Sequence, residues 1–191
     1  MASRPTITGR ATSLAHAFVH AIIPREVDAA AQASLYRAAG INERECVYCG
    51  ALATDLDHLR GLVKAGRPSG HFHTTNNLVP SCGPCNQSKG AADWKQWMLG
   101  QARGSPIRKG IADIHERIER LEAFERQAGK VDATSNEALR DIVGPELWDR
   151  YWQRLDELKA LMVAAQREAI QIEQILSGAQ REPASMEDVP Q

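Results

Sequence analysis

The chain has 191 residues, 43% of them hydrophobic and 25% charged, with a formal net charge of -1. That length suits one compact domain or a small domain with extensions. With that composition and no long apolar run, the chain is expected to be soluble and mostly folded.

The total charge says little, but its distribution says more. Residues 46–109 carry eight Lys/Arg against three Asp/Glu, whereas residues 110–176 carry nine against fourteen. A basic segment joined to an acidic one fits nucleic-acid contact confined to part of the surface. Solvated helix faces alone also account for the acidic half. The N-terminus, MASRPTITGR, lacks the apolar core of a secretory signal, so a cytoplasmic location is expected.

In chain order, ATSLAHAFVHAII reads as a short helix with Leu14, Phe18 and Ile22 on one face, ended by Pro24. A second helix is expected from Pro24 to Ala39, stopped by Gly40 and the apolar Ile41. His16 and His20 stand one turn apart, a spacing able to bind metal. With no third ligand nearby they read as surface or packing histidines.

All four cysteines of the protein fall in two Cys-x-x-Cys pairs, Cys46 with Cys49 and Cys82 with Cys85. Two-residue spacers let each tight turn present two thiolates to one tetrahedral Zn²⁺. A reducing compartment favours that use over disulfides. The pairs therefore read as a structural zinc clasp around an inserted loop. Within and beside it we expect a knuckle at Cys46–Gly50, a strand near Ala51–Asp57, an exposed loop over Arg60–Thr75, a strand near Leu78–Pro80 and a short helix over Pro84–Lys89. Asp93 and Gln96 resemble a capping box for a further helix through Leu99, with Trp94, Trp97 and Met98 packed back on the clasp. Stacking of those aromatics on a base is the alternative.

Inside the clasp stand Asp57-His58, then Asn77 in NNLVPSC, then Asn86 in CGPCNQSKG. This order resembles the HNH (ββα-metal) nucleases, whose pattern is an Asp/Glu-His pair, a central Asn, and His or Asn on a short helix. The resemblance covers about a quarter of the chain, and Asn86 stands where many such enzymes have His. It implies an α+β fold with a small ββα core, and metal-dependent hydrolysis of DNA phosphodiester bonds by a restriction-type or phage-associated endonuclease. His58 is then the general base, since an imidazole titrates near working pH. Asp57 and Asn86 supply oxygens to a catalytic Mg²⁺ or Mn²⁺. Asn77 holds the loop carrying Asp57 and His58 through side-chain bonds to backbone. Arg60, Arg67 and Lys89 are candidates for phosphate contacts, with solvated surface charge as the alternative. His71 and His73 either join the metal site or face solvent or DNA.

Gly100–Pro106 reads as a linker, with Ser105 as a cap and Pro106 at a first helical position. Ile111, Ile114, Ile118 and Leu121 then mark a long amphipathic helix. The segment over residues 129–146 breaks and restarts the pattern. A final helix is expected over Pro145–Leu176, with Leu147, Tyr151, Leu155, Leu158, Met162, Ala165, Ala169, Ile172 and Leu176 along one seam. That seam must be covered by another helix, by the nuclease core, or by the same helix of a second chain, which would make a homodimer.

The expected organisation is therefore an N-terminal helical segment over 1–45, an HNH core with its clasp over 46–100, a helical extension for dimerisation or specificity over 101–178, and a disordered tail over 179–191. Two readings from other classes remain. One is a zinc-stabilised nucleic-acid-binding module without catalysis, and the other is an adaptor whose helical half binds protein partners.

Overall fold

The computed structural model describes residues 5–129 and 133–179. They divide into two units, His16–Pro145 and a smaller one joining the described parts of Met1–Ala15 and Glu146–Gln191. The boundaries expected at 45/46 and 100/101 fall inside the larger unit. A motif of two strands and one short helix has too little apolar surface to close a core alone. Tyr36, Ala39 and Ile41 before it, and Ile114, Ile118, Leu121 and Phe124 after it, are buried in one cluster with Cys46, Cys82, Cys85, Trp94, Trp97 and Met98.

In that unit, α1 (Ala11–Ile22, whose first residues belong to the smaller unit) stops before Pro24. The helix expected from Pro24 begins instead at Ala29. Arg25–Glu26 forms a two-residue strand, β1, and α2 is Ala29–Ala39. Asp28 sets that start, its Oδ1 accepting from the N–H groups of Ala30 (2.9 Å) and Ala31 (3.0 Å). Such a cap satisfies donors that Pro24 would leave open. At the other end Gly40 has φ +67°, and Ile41 N–H reaches the Tyr36 carbonyl at 2.8 Å. This closing pattern needs a left-handed residue.

The central ladder is β2 (Asp55–His58) antiparallel to β6 (Leu78–Ser81), with Asp57 opposite Val79 and His58 opposite Leu78. The expected strand from Ala51 is shorter at its start, because a bridge between Glu45 and Leu52 first closes the knuckle. The loop over 60–75 is not simply exposed. It holds a hairpin of β3 (Val63–Lys64) and β4 (Arg67–Pro68), with Leu62, Val63 and Pro68 buried. It then forms β5 (His73–Thr74), which pairs in parallel with β1.

Two short helices follow, α3 (Gly83–Lys89) and α4 (Trp94–Met98). Asp93 caps α4 through Oδ1, which accepts from Gln96 N–H at 2.9 Å. Trp94, Trp97 and Met98 are buried against the clasp, which removes base stacking as their role. Ser105 does not cap a helix at Pro106. It is buried, and its hydroxyl donates to the Gly100 carbonyl at 2.7 Å. Ile107 N–H bonds to the Met98 carbonyl at 3.1 Å, so this stretch is turned back on α4, and α5 begins only at Ile114 (Ile114–Ala128). The unit closes with α6 (Asn136–Val143), capped by the Ser135 hydroxyl.

The smaller unit is dominated by α7 (Pro145–Ala179). Its buried positions are Trp148, Trp152 and Leu155, whereas Leu147, Leu158, Ile172 and Leu176 of the expected seam are exposed. Two tryptophans one turn apart, packed edge to face at 5.5 Å, bring more apolar area than the leucines and take the buried stripe. Ile7 N–H also donates to Gln166 Oε1 at 2.7 Å. The tail expected to be disordered over 179–191 lies, from residue 180, outside the described residues. No helix among those described is long and apolar enough to cross a membrane.

Candidate metal centre and histidine site

Two backbone turns bring the four cysteines together. Gly50 N–H returns to the Cys46 carbonyl at 2.9 Å, and Cys85 and Asn86 N–H return to the Cys82 carbonyl at 3.1 and 3.0 Å. The strands lock the turns to each other, with Val47 N–H on the Pro80 carbonyl at 3.0 Å. One sulfur from each of Cys46, Cys49, Cys82 and Cys85 then lies within 4.8 Å of every other, a spacing that can hold a metal ion. The Cys85 thiol beside Cys46 holds the Cys46 thiol below the usual thiol range, against the opposing effect of burial. Two cations border the cluster. Lys109 Nζ is 3.9 Å from Cys85 Sγ, and Arg117 donates to the Cys46 carbonyl at 3.2 Å. Gly50, at φ +78°, leaves room for that guanidinium, since a Cβ there would sit 2.5 Å from Arg117 Nη2.

On β2, alternation sends Asp57 and His58 to opposite faces. Asp57 turns inward and is 3% exposed. Its Oδ2 accepts from the Tyr48 hydroxyl at 2.6 Å, and Lys89 Nζ lies 3.1 Å from Oδ2 and 3.3 Å from Oδ1. Burial pushes this carboxyl upward, opposed by the Lys89 ammonium and the Tyr48 hydroxyl. Both oxygens of Asp57, expected from the sequence as a metal ligand, thus serve an internal ion pair. The side chain of Lys89, expected as a phosphate contact, is fully buried, with further bonds to the carbonyls of His58 (2.9 Å) and Gly90 (3.0 Å).

Breaking a buried pair by removing one partner costs about 3–5 kcal/mol, because a charge is left uncompensated. Lys89→Met is therefore expected to lower unfolding stability by about that amount. Lys89→Met combined with Asp57→Asn should cost less than the two single changes added. Urea unfolding of the four proteins checks both statements.

His58 turns the other way and ends β2, half-buried. Its Nε2 is 2.9 Å from Nδ1 of His73 on β5, and the ring of His20, from α1, lies 6.2 Å away centroid to centroid. Burial first, then the neighbouring His73, His20, Lys89 and Arg25, hold the His58 imidazole down at about 4, so it is neutral at pH 7. His71 stands apart from this group. It borders an open cleft with Arg60, Lys64 and Ser69, and its Nδ1 is buried without a hydrogen-bond partner among the described residues.

Asn77 is buried behind the loop and spends its amide on backbone. Its Oδ1 accepts from Arg60 N–H at 2.8 Å, and Nδ2 donates to the carbonyls of Arg60 (2.9 Å) and Phe72 (3.0 Å). The segment leaving His58 and the segment approaching His73 are thereby tied to one side chain. Asn86 is half-buried on α3, one turn before the Lys89 that grips the His58 carbonyl. Arg60 is bonded to Glu125 at 2.6 Å, and Arg67 is half-buried in the hairpin.

Sequence reading missed the contribution of the N-terminal segment. His20 carried a signal in its spacing from His16, set aside for want of a third ligand. Arg25 carried none, because a two-residue strand has no pattern to read. Comparisons with protein-family models, with curated proteins and with solved structures found no match, so the likeness to HNH nucleases rests on these residues alone.

Proposed function

We propose that the chain is an HNH-type endonuclease that hydrolyses DNA phosphodiester bonds, of the restriction or phage-associated kind. The observation that carries this reading is the mounting of His58. It sits at a strand end, its carbonyl gripped by Lys89, its ring on His73, and its following loop held by Asn77. A neutral imidazole so fixed can take a proton from water as the water oxygen attacks phosphorus and the bond to the 3′ oxygen breaks. In the tautomer in which His58 Nε2–H donates to His73 Nδ1, Nδ1 of His58 is the nitrogen open to receive the proton.

Zn²⁺ fits the four cysteines, and a site filled by four thiolates leaves no position for water, so its role is to hold the motif together. The resemblance also implies a catalytic Mg²⁺ or Mn²⁺ on Asp57 and Asn86. That pair does not fit as oriented, since both Asp57 oxygens are engaged by Tyr48 and Lys89, and we derive no step through such an ion. The same engagement favours, as a second reading, a nucleic-acid-binding module without catalysis. A double-strand cut needs two active sites or two visits. The exposed Leu158, Leu161, Ile172 and Leu176 of α7 would suit pairing with a second copy, which sedimentation velocity decides.

Supercoiled plasmid incubated with purified protein and Mg²⁺ or Mn²⁺ tests the proposal. Nicked or linear product is expected, and sequenced ends separate a unique site from scattered cutting. Intact plasmid under both metals, with DNA still retarded at low salt, would transfer the chain to the binding-module reading.

A further inference from the structure

The larger unit holds one cation whose position its local sequence does not explain. β1 lies alongside β5 in parallel, with Arg25 paired to His73. Paired residues on neighbouring parallel strands lie about 4.8 Å apart and project to the same face. His73 Nδ1 is in turn 2.9 Å from His58 Nε2, and His20 flanks His58 from α1. The pairing therefore carries Arg25 to the rim of the histidine group. Its charge acts on all three rings, adding to the burial that disfavours the charged forms of His20, His58 and His73.

Three other cations near the motif are engaged. Lys89 is buried on Asp57, Arg60 is bonded to Glu125, and Arg117 is bonded to Asp113. Arg25 is exposed, and among the described residues no carboxylate pairs with it. A fixed positive charge beside three imidazoles, with no carboxylate paired to it among the described residues, offers a place for an anion. Guanidinium presents a planar fork of N–H donors that matches two oxygens of a phosphate.

We propose that Arg25, brought beside His58 by the pairing of β1 with β5, is the phosphate-binding cation of this site, with His20 and His73 flanking the bound group. The inference deepens the nuclease reading and rests on it for the identity of the substrate, a nucleic-acid phosphodiester. Arg25 would engage the non-bridging oxygens of the phosphate that His58 hydrolyses. The N-terminal segment then supplies part of the substrate site instead of serving only as packing.

Two measurements separate the failure of this inference from failure of the nuclease reading. In the first, inorganic phosphate is titrated into the zinc-loaded protein while the histidine ring resonances are followed by NMR. The rings of His20, His58 and His73 are expected to shift in the wild type. Arg25→Leu should weaken the phosphate response about tenfold or more, and Arg25→Lys, which keeps the charge but loses the fork, should fall between. Absence of any shift in the wild type, or an equal response in Arg25→Leu, overturns the proposal whether or not the protein cuts DNA.

In the second, plasmid cleavage is compared at saturating protein. Arg25→Leu should cut about a hundredfold to a thousandfold more slowly, as when one donor to a developing oxyanion is lost. Its affinity for a short duplex, measured on the zinc-loaded protein without added Mg²⁺ or Mn²⁺, should change only a few-fold, because many contacts share that binding. Cleavage by Arg25→Leu at the wild-type rate also overturns the proposal and leaves the nuclease reading standing. A phosphate response that depends on Arg25 in a wild-type protein that never cuts sinks the nuclease reading and leaves the anion site.

Discussion

Stripping Zn²⁺ with a strong chelator is expected to unfold His16–Pro145 as a unit, and Cys46→Ser or Cys85→Ser should yield protein that does not fold stably. Binding of structural zinc contributes about 10–16 kcal/mol in small zinc domains. That exceeds or equals the whole stability of most domains, about 5–15 kcal/mol. The effect should spread beyond the clasp. Cys46, Cys82 and Cys85 are buried in the same cluster as Tyr36, Ile118, Leu121 and Phe124, so α2 and α5 lose their common support when the cysteines separate. Metal analysis should find one zinc per chain, and circular dichroism should record the loss of helix as the metal leaves. Folded protein free of zinc would refute the assignment.

The second large effect is at His58. His58→Ala removes a half-buried ring but neither the zinc ligands nor the Asp57–Lys89 pair, so fold and DNA binding should persist while cleavage falls. Loss of a general base costs on the order of a hundredfold to ten-thousandfold in rate. Asp57→Ala should look different from loss of a metal ligand. With the Lys89 ammonium and the Tyr48 hydroxyl left unpaired in the core, its main effect should be on unfolding, with no special change in the Mg²⁺ dependence of whatever activity remains. Purified His58→Ala that cuts at the wild-type rate would remove the residue from the mechanism.

The local chemistry was legible in the sequence where it depends on short spacing. Two Cys-x-x-Cys turns announce a shared ligand sphere, and the four sulfurs do converge. Asn77 was readable as a loop holder from its place in the motif, and its three bonds to backbone are of that kind. The final helix was evident from its periodicity, though not which stripe is buried, because Trp148 and Trp152 compete with the leucines for cover. Long-range pairing was not legible. Whether the Asp57 carboxylate meets a metal or Lys89 depends on how α3 lies against β2. Thirty-two residues separate that pair, and no spacing encodes them. The same holds for β1, where Asp28 capping moved the helix start and freed Arg25 to join β5.

That two-residue strand bears on heredity as much as on mechanism. A motif bounded by its own four-cysteine cluster looks like a portable cassette, free to be shuffled into new proteins by recombination at its edges. Here the edges at Cys46 and Gly100 are false seams. A cut at Cys46 would strip away α2 and β1, and one at Gly100 would strip away α5, leaving the cluster open on both sides. The smallest piece that gene fusion could move with its core covered is the stretch from His16 to Pro145.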